Sequence, residues 1–514
     1  MNFLNLVELN TFNVFPEYFI GISALYILVV IVLISYNVYG LIIQKALSEC
    51  IGLVLLLACY LILNDDLVFS FNSLELYSMV GFYKTLITDH FAFFTKLTVC
   101  FFSAFYFFII ADFLKDYKLT SFEYLLILLF AVLGLMLLCS SNDLLTAYLS
   151  IELISLSSYV LAAFKKTSSY SAEAGVKYLV TGAISSAFFL LGSSFMYGYG
   201  GTLNIADFWL ILSNEGWFNV NETNNLLEPF LEIGLAFIIF SLVIKLALAP
   251  FHVWSLDVYE GSPTISTFFF AVITKLSFFV FLVRISYVAV FRYYEVWQFY
   301  GILIALLSVF VGSFGGLRQR KLKTLLAYSS VSHMGYALLA FSAGSRFGAE
   351  MLLFYLVIYM LSGISMWFVI LATRINRKRY TDKFNKELGD LVLLRKSNPA
   401  LALSLTLTMF SIAGIPPLVG FFAKMGVFLS VLHAKYYFAA LLAVLCSVVS
   451  TFYYIRIIKI LYFENVLTGQ LYYPLISSKT IVFSISVFSL LFLFVNPTIL
   501  YLTVYKVVLC SFAG

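Results

Sequence analysis

Fourteen apolar runs recur along the 514-residue chain, at about 21–39, 48–64, 91–111, 122–142, 143–164, 172–198, 228–251, 262–288, 296–316, 321–343, 349–373, 397–432, 436–461 and 479–505. Each has the ~20 residues that a helix needs to cross the hydrocarbon core of a bilayer. Hydrophobic residues make up 62% of the sequence and charged ones only 11%, less than half of the ~25% usual in a soluble domain. That composition excludes a soluble enzyme. The expected fold class is an all-α polytopic membrane protein of about 14 transmembrane helices.

Several function classes fall away on residue type. The formal charge of +5 is mild and comes with no basic patch, so no nucleic-acid partner is expected. Cys50, Cys59, Cys100, Cys139, Cys446 and Cys510 stand singly in apolar stretches without C-x-x-C spacing, which argues against iron–sulfur and zinc sites. His90, His252, His333 and His433 are scattered and give no metal-binding pair on one helix. The Gly-Tyr-Gly-Gly run ending at Gly201 has no lysine at phosphate-loop spacing, so nucleotide binding is not expected. Before the first run stand Glu8 and Glu17 and no arginine, the wrong composition for an organellar presequence. An organellar protein of this kind is expected to be made inside the organelle, and a bacterial plasma membrane fits equally well.

The basic residues give a topology. With fourteen spans both termini share one side, and loops facing the cytoplasm or matrix collect Lys and Arg. Twenty basic residues fall in loops on one side, concentrated at Arg318–Lys323 and Arg374–Lys396, against six on the other, so both termini are expected outside.

Five lysines remain inside spans: Lys96, Lys177, Lys245, Lys275 and Lys424. A lysine at the bilayer centre costs about 2.5–3.5 kcal/mol on insertion scales, so such groups are paired, hydrated or neutral and mark function by default. Lys96, close to Asp89 and His90, reads instead as a boundary residue, and Lys177 lies close enough to a span end to snorkel. Glu152 joins the buried set: nine residues from Asp143 and thirteen from Lys165, it lies about 14 and 20 Å from the two ends of its helix.

Two spans carry backbone breakers near their centres. In the seventh, Pro250 follows Lys245 by five residues; in the twelfth, the Pro416-Pro417 pair ends seven residues before Lys424. Proline removes a helical hydrogen bond, and non-helical backbone at membrane depth persists only inside protein or beside a wet cavity, where half-helix ends hold ions. The same device five spans apart suggests two five-helix repeats, inverted because each has an odd number of spans. Desolvation disfavours an ammonium and a nearby carboxylate favours it, so moving the carboxylate alters proton affinity. Glu152 with Lys245 is the expected pair of the first repeat, with Lys275 and His333 continuing the path and Lys424 serving the second. Each also has a structural reading: capping freed carbonyls for Lys245 and Lys424, an inert ion pair for Glu152, packing for His333. The dense aromatics read as packing and interfacial belts.

Six stretches carry a resemblance. Ala147-Tyr-Leu-Ser-Ile-Glu152-Leu, Glu173-Ala-Gly-Val-Lys177-Tyr, Lys245 through Pro250-Phe-His252-Val-Trp254, Asp257-Val-Tyr-Glu260-Gly-Ser-Pro263-Thr, Leu325 through His333-Met-Gly-Tyr336, and Ala413-Gly-Ile-Pro416-Pro417 through Lys424 resemble the subunit 2 family of NADH dehydrogenase, antiporter-like membrane-arm subunits of respiratory complex I. The similarity runs from about residue 90 to 465 and is weak before Asp89. It implies 14 helices, an antiporter-like fold with broken helices 7 and 12, and proton-path roles for Glu152, Lys177, Lys245, Lys275, His333 and Lys424. The expected organisation is an N-terminal extension (1–121), two repeats (122–288 and 289–465) and a C-terminal helix (466–514). The resemblance implies a translocase subunit without a redox centre, with FMN, iron–sulfur clusters and ubiquinone on partner subunits. The partners it implies are the antiporter-like subunit 4, the small subunit 4L, accessory subunits and lipids such as cardiolipin, in the mitochondrial inner membrane with both termini in the intermembrane space. A stand-alone monovalent cation/proton antiporter and an inert assembly subunit are the rivals.

Overall fold

A computed structural model describes residues 14–34, 40–70, 79–82, 84–117, 119, 121–214, 228–376, 383–384, 387–392, 394–464, 471–472 and 477–511 of the chain. Among the described residues, every one of the fourteen apolar runs contains a helix or a pair of helices. Ten helices are long and apolar enough among the described residues to cross a membrane unaided, or eleven with one sharply bent pair. The remaining three runs fall short for physical reasons. Glu228–Lys245 carries three charged residues, Leu322–Ser342 is rich in serine and includes His333, and the twelfth run is divided into two halves.

The chain forms two compact units. The first comprises residues 1–246, 273–299 and 506–514. It contains α1 (Phe15–Ile34), α2 (Gly40–Ser70), α3 (His90–Ile110), α4 (Glu123–Ser140), α5 (Leu144–Ala163), α6 (Ser169–Gly200) and α7 (Glu228–Lys245). α1 begins at Phe15, six residues earlier than the apolar run suggests, because Glu17 is buried rather than left in water. α1 packs on α2 and α4, α5 on α4 and α6, and α6 lies along α7. That last approach is close: a Cβ at Gly192 would stand 2.7 Å from the Gly234 carbonyl oxygen, and one at Gly234 would stand 2.9 Å from that of Gly192. Between α2 and α3 a hairpin pairs Met79–Gly81 with Leu86–Thr88.

The second unit comprises residues 247–272 and 300–505. It holds α8 (Val253–Gly261) and α9 (Thr264–Val272); α10 (Thr274–Val283), next in the chain, belongs to the first unit and runs on into a π-helical turn, Arg284–Ala289. α11 (Tyr294–Gly316) follows. The rest of the second unit is α12 (Leu322–Ser342), α13 (Arg346–Ala372), α14 (Pro399–Ala413), α15 (Val419–His433), α16 (Tyr437–Tyr462) and α17 (Ser477–Val495). α13 is buried almost throughout and packs against α9, α12, α14, α15 and α17, so it is the core of this unit. A small sheet of Arg374–Asn376, Lys383–Phe384 and Leu471–Tyr472 lies outside the spans.

The fourteenth run differs from the single straight helix expected. It bends by 82° between Phe483–Val495 and α18 (Thr498–Ser511). Pro497 removes a backbone donor at the bend, and the Thr498 hydroxyl turns back to the Asn496 side chain.

Candidate functional site

Both predicted breaks are present and each has a lysine beside it. α7 stops at Lys245; the chain passes through Ala247 at φ 57° and the cis Ala249–Pro250 bond before α8 begins at Val253. α14 stops at Ala413; Gly414 at φ 82° and the cis Pro416–Pro417 bond precede α15 at Val419. A helix that ends inside a bilayer leaves its last carbonyls without partners. At the second break Lys424 supplies one, its Nζ donating to the Ala413 carbonyl at 2.7 Å. Gly414 is required twice over: its φ is left-handed, and a Cβ there would stand 2.7 Å from Lys424 Cδ.

In the first unit, Lys245 Nζ donates to the Tyr159 hydroxyl at 3.4 Å and lies 5.8 Å from the centre of that ring. No ion pair within 4 Å joins Lys245 to Glu152, so the expected pair is not in contact, although the Glu152 carboxylate is the charge that bears on Lys245. Glu152 Oε2 accepts from the Ser155 hydroxyl at 3.1 Å, and its Oε1 is buried without a hydrogen bond. Glu152, Ser155 and Tyr159 occupy positions i, i+3 and i+7 of α5 and so share a face. Tyr159 also meets Tyr178 of α6 edge-on at 4.9 Å. The tyrosine is the group that the sequence reading missed: it stands next to Lys245, with Glu152 two turns along the same helix face.

Lys275 is buried in α10. Lys177 is not: its side chain is 44% exposed and pairs with Glu173 one turn earlier at 2.8 Å. The boundary reading of Lys96 is overturned, because its side chain is only 6% exposed and forms an ion pair with Glu17 of α1. Sequence spacing gives no signal for a partner 79 positions away.

In the second unit His333 is held at both ring nitrogens, Nδ1 2.6 Å from the Tyr355 hydroxyl and Nε2 3.0 Å from that of Tyr454. In neutral imidazole one nitrogen donates and the other accepts, so a tautomer change reverses both bonds and passes a proton from one side of the ring to the other. The Tyr336 ring lies 6.3 Å from His333 and 5.4 Å from Lys424 Nζ. A small cavity lined by His333, Tyr355, Tyr359, Ser411 and Lys424 is large enough for one water, and Ser411 Oγ faces it without a hydrogen-bond partner. Five polar groups thus line one water-sized space. Among the described residues no three His, Cys, Asp or Glu side chains gather as metal ligands.

The family described as NADH:quinone oxidoreductase/Mrp antiporter, TM, matches residues 141–450, which include both breaks and both lysine sites. NADH-ubiquinone oxidoreductase chain 2 of Marchantia polymorpha is 37% identical over 431 residues, 83% of this chain and 85% of that one. A chain of respiratory complex I from Thermus thermophilus superposes with a TM-score of 0.74 at 26% identity, covering 95% of this chain and 98% of that one. A chain of the Mrp complex from Dietzia sp. shares the fold at a TM-score of 0.78 and 18% identity, covering 98% and 97%.

Proposed function

This chain belongs to the NADH:quinone oxidoreductase/Mrp antiporter family, with its curated relatives among chain 2 and subunit N proteins, and from that premise we propose that it is a proton-translocating membrane-arm subunit of respiratory complex I. The observation that carries the proposal is the repeated pairing of a broken helix with a lysine held at the break, Lys245 in one unit and Lys424 in the other. Electrons move elsewhere in this reading: FMN, iron–sulfur clusters and ubiquinone belong to partner subunits, and this chain adds proton transfer to NADH:ubiquinone reduction.

The mechanism is electrostatic. A change of charge or hydration arriving from a neighbouring subunit moves the Glu152 carboxylate relative to Lys245 and alters the affinity of the lysine for its proton. The Tyr159 hydroxyl, already bonded to Lys245, is the first acceptor or donor on the way out. Lys275 and His333 carry the charge onward, and His333 with its two tyrosines relays protons toward Lys424. Lys177, at the chain surface, is suited to the inlet. Its neighbours would be subunits 4 and 4L, accessory subunits and lipids such as cardiolipin, in the mitochondrial inner membrane with the termini on the intermembrane-space side; a bacterial plasma membrane is the alternative setting.

The fold shared with an Mrp complex chain favours one rival, an autonomous cation/proton antiporter. Copurification separates the two. The chain is expected in a large assembly carrying flavin and iron–sulfur clusters; sodium-driven proton flux by the chain alone in vesicles, with no such assembly, would overturn the reading.

A further inference from the structure

Outside the segment matched by the family, α1 and α3 hold another carboxylate–lysine pair. Glu17, in the first turn of α1, and Lys96, six residues into α3, form an ion pair whose side chains are 3% and 6% exposed. Neither Glu17 oxygen receives a hydrogen bond beyond that pairing. Helix capping does not account for it: the first turn offers free N–H groups, and the carboxylate takes none of them. Docking of α1 does not require it either, because Ile20, Ala24, Ile27 and Ile31 are already buried.

A buried ion pair recovers its desolvation cost only when the remaining lone pairs and protons are satisfied. Here they are not. Moving one proton from Nζ to a carboxylate oxygen breaks an N–H bond, forms an O–H bond and leaves amine beside carboxylic acid, both neutral. The electron pair stays on nitrogen and the net charge is unchanged, so the proton has a place on either partner.

A second charged pair stands on the same helix face, nearer the solvent. Asp89, seven residues before Lys96, caps α3 by accepting from the Ala92 N–H at 2.8 Å and pairs with Arg284 at 2.9 Å. Asp89 is 25% exposed and Arg284 only 5%, so this pair is the wet end and Glu17–Lys96 the dry end. The Cys139 thiol of α4, hydrogen-bonded to Ser277 of α10 at 3.4 Å, feels both Lys96 and Arg284. Among the described residues, Cys100 of α3, on which the Glu17 charge bears, and Cys59 of α2 beside it are further titratable groups at the pair.

We infer that Glu17 and Lys96 form a protonation site in the N-terminal helices, exchanging a proton with the aqueous face through the Asp89–Arg284 end. Infrared difference spectra of the membrane complex containing the full chain, taken between acidic and alkaline buffer in H2O and D2O, test it. A buried carboxyl C=O band should appear on acidification, shift in D2O, disappear in Glu17→Gln, move in Glu17→Asp, and persist at every pH in Lys96→Met, where no cation holds the carboxyl ionised. Superimposable spectra of the parent, Glu17→Gln and Glu17→Asp at every pH would mean a fixed ion pair and overturn the inference. If Glu17→Gln fails to accumulate, Glu17→Asp alone decides, by whether the band moves. The readout is the vibration of the carboxyl itself, so it is independent of whether Lys245 and Lys424 pump.

Discussion

Lys245 ends the half-helix before its break and Lys424 lies in the half-helix after its own, and they are held differently, one by a tyrosine hydroxyl and one by a backbone carbonyl. Tyr159→Phe removes the hydroxyl and leaves the ring. The lost hydrogen bond is worth about 1 kcal/mol, so turnover of the assembled complex should fall roughly fivefold while assembly is retained; an unchanged rate would remove Tyr159 from the path. Gly414→Ala forces a left-handed φ on a side-chain-bearing residue at a cost of about 1–2 kcal/mol and pushes on Lys424 Cδ. A lower thermal unfolding midpoint is expected, together with a lower rate. The lysines were legible in the sequence because a charge in an apolar run cannot be hidden. The tyrosines were not, because 35 of them occur in the chain and only the third dimension says which ones meet a lysine or His333. Glu17–Lys96 was invisible for the same reason, and because Glu17 precedes the first apolar run.

At the scale of elements, the breaks define what the helices can do. α14 and α15 have 15 residues each, or about 22 Å, so neither is long enough to cross a ~30 Å core alone; Lys424 of α15 reaches back to the last carbonyl of α14. Proline made this readable in advance at Pro250 and at Pro416–Pro417. The bend at Pro497 was not anticipated, since one proline near the end of a run is equally compatible with a straight span. The α6–α7 approach at Gly192 and Gly234 positions the helix that ends at Lys245. Gly234→Val should drive the two helices apart and lower the amount of assembled protein, whereas Gly198→Ala in the same α6, where a Cβ meets nothing within 4 Å, should leave it unchanged. Immunoblots of native complexes compare the two.

For the whole molecule, the fourteen runs were legible because bilayer thickness fixes helix length, and the family match rests on the same segments. The uneven distribution of twenty basic loop residues against six makes a further prediction. A cysteine introduced at Lys378 should be labelled by an impermeant reagent only from the matrix or cytoplasmic side, and one at Asn225 only from the opposite side. The proton-to-electron ratio of the assembled complex, measured for Lys245→Ala and Glu152→Gln alongside the parent, is the most direct test of proton transfer by the buried charges. It should fall in both variants; ratios equal to the parent in both would make these residues structural and contradict the proposed role.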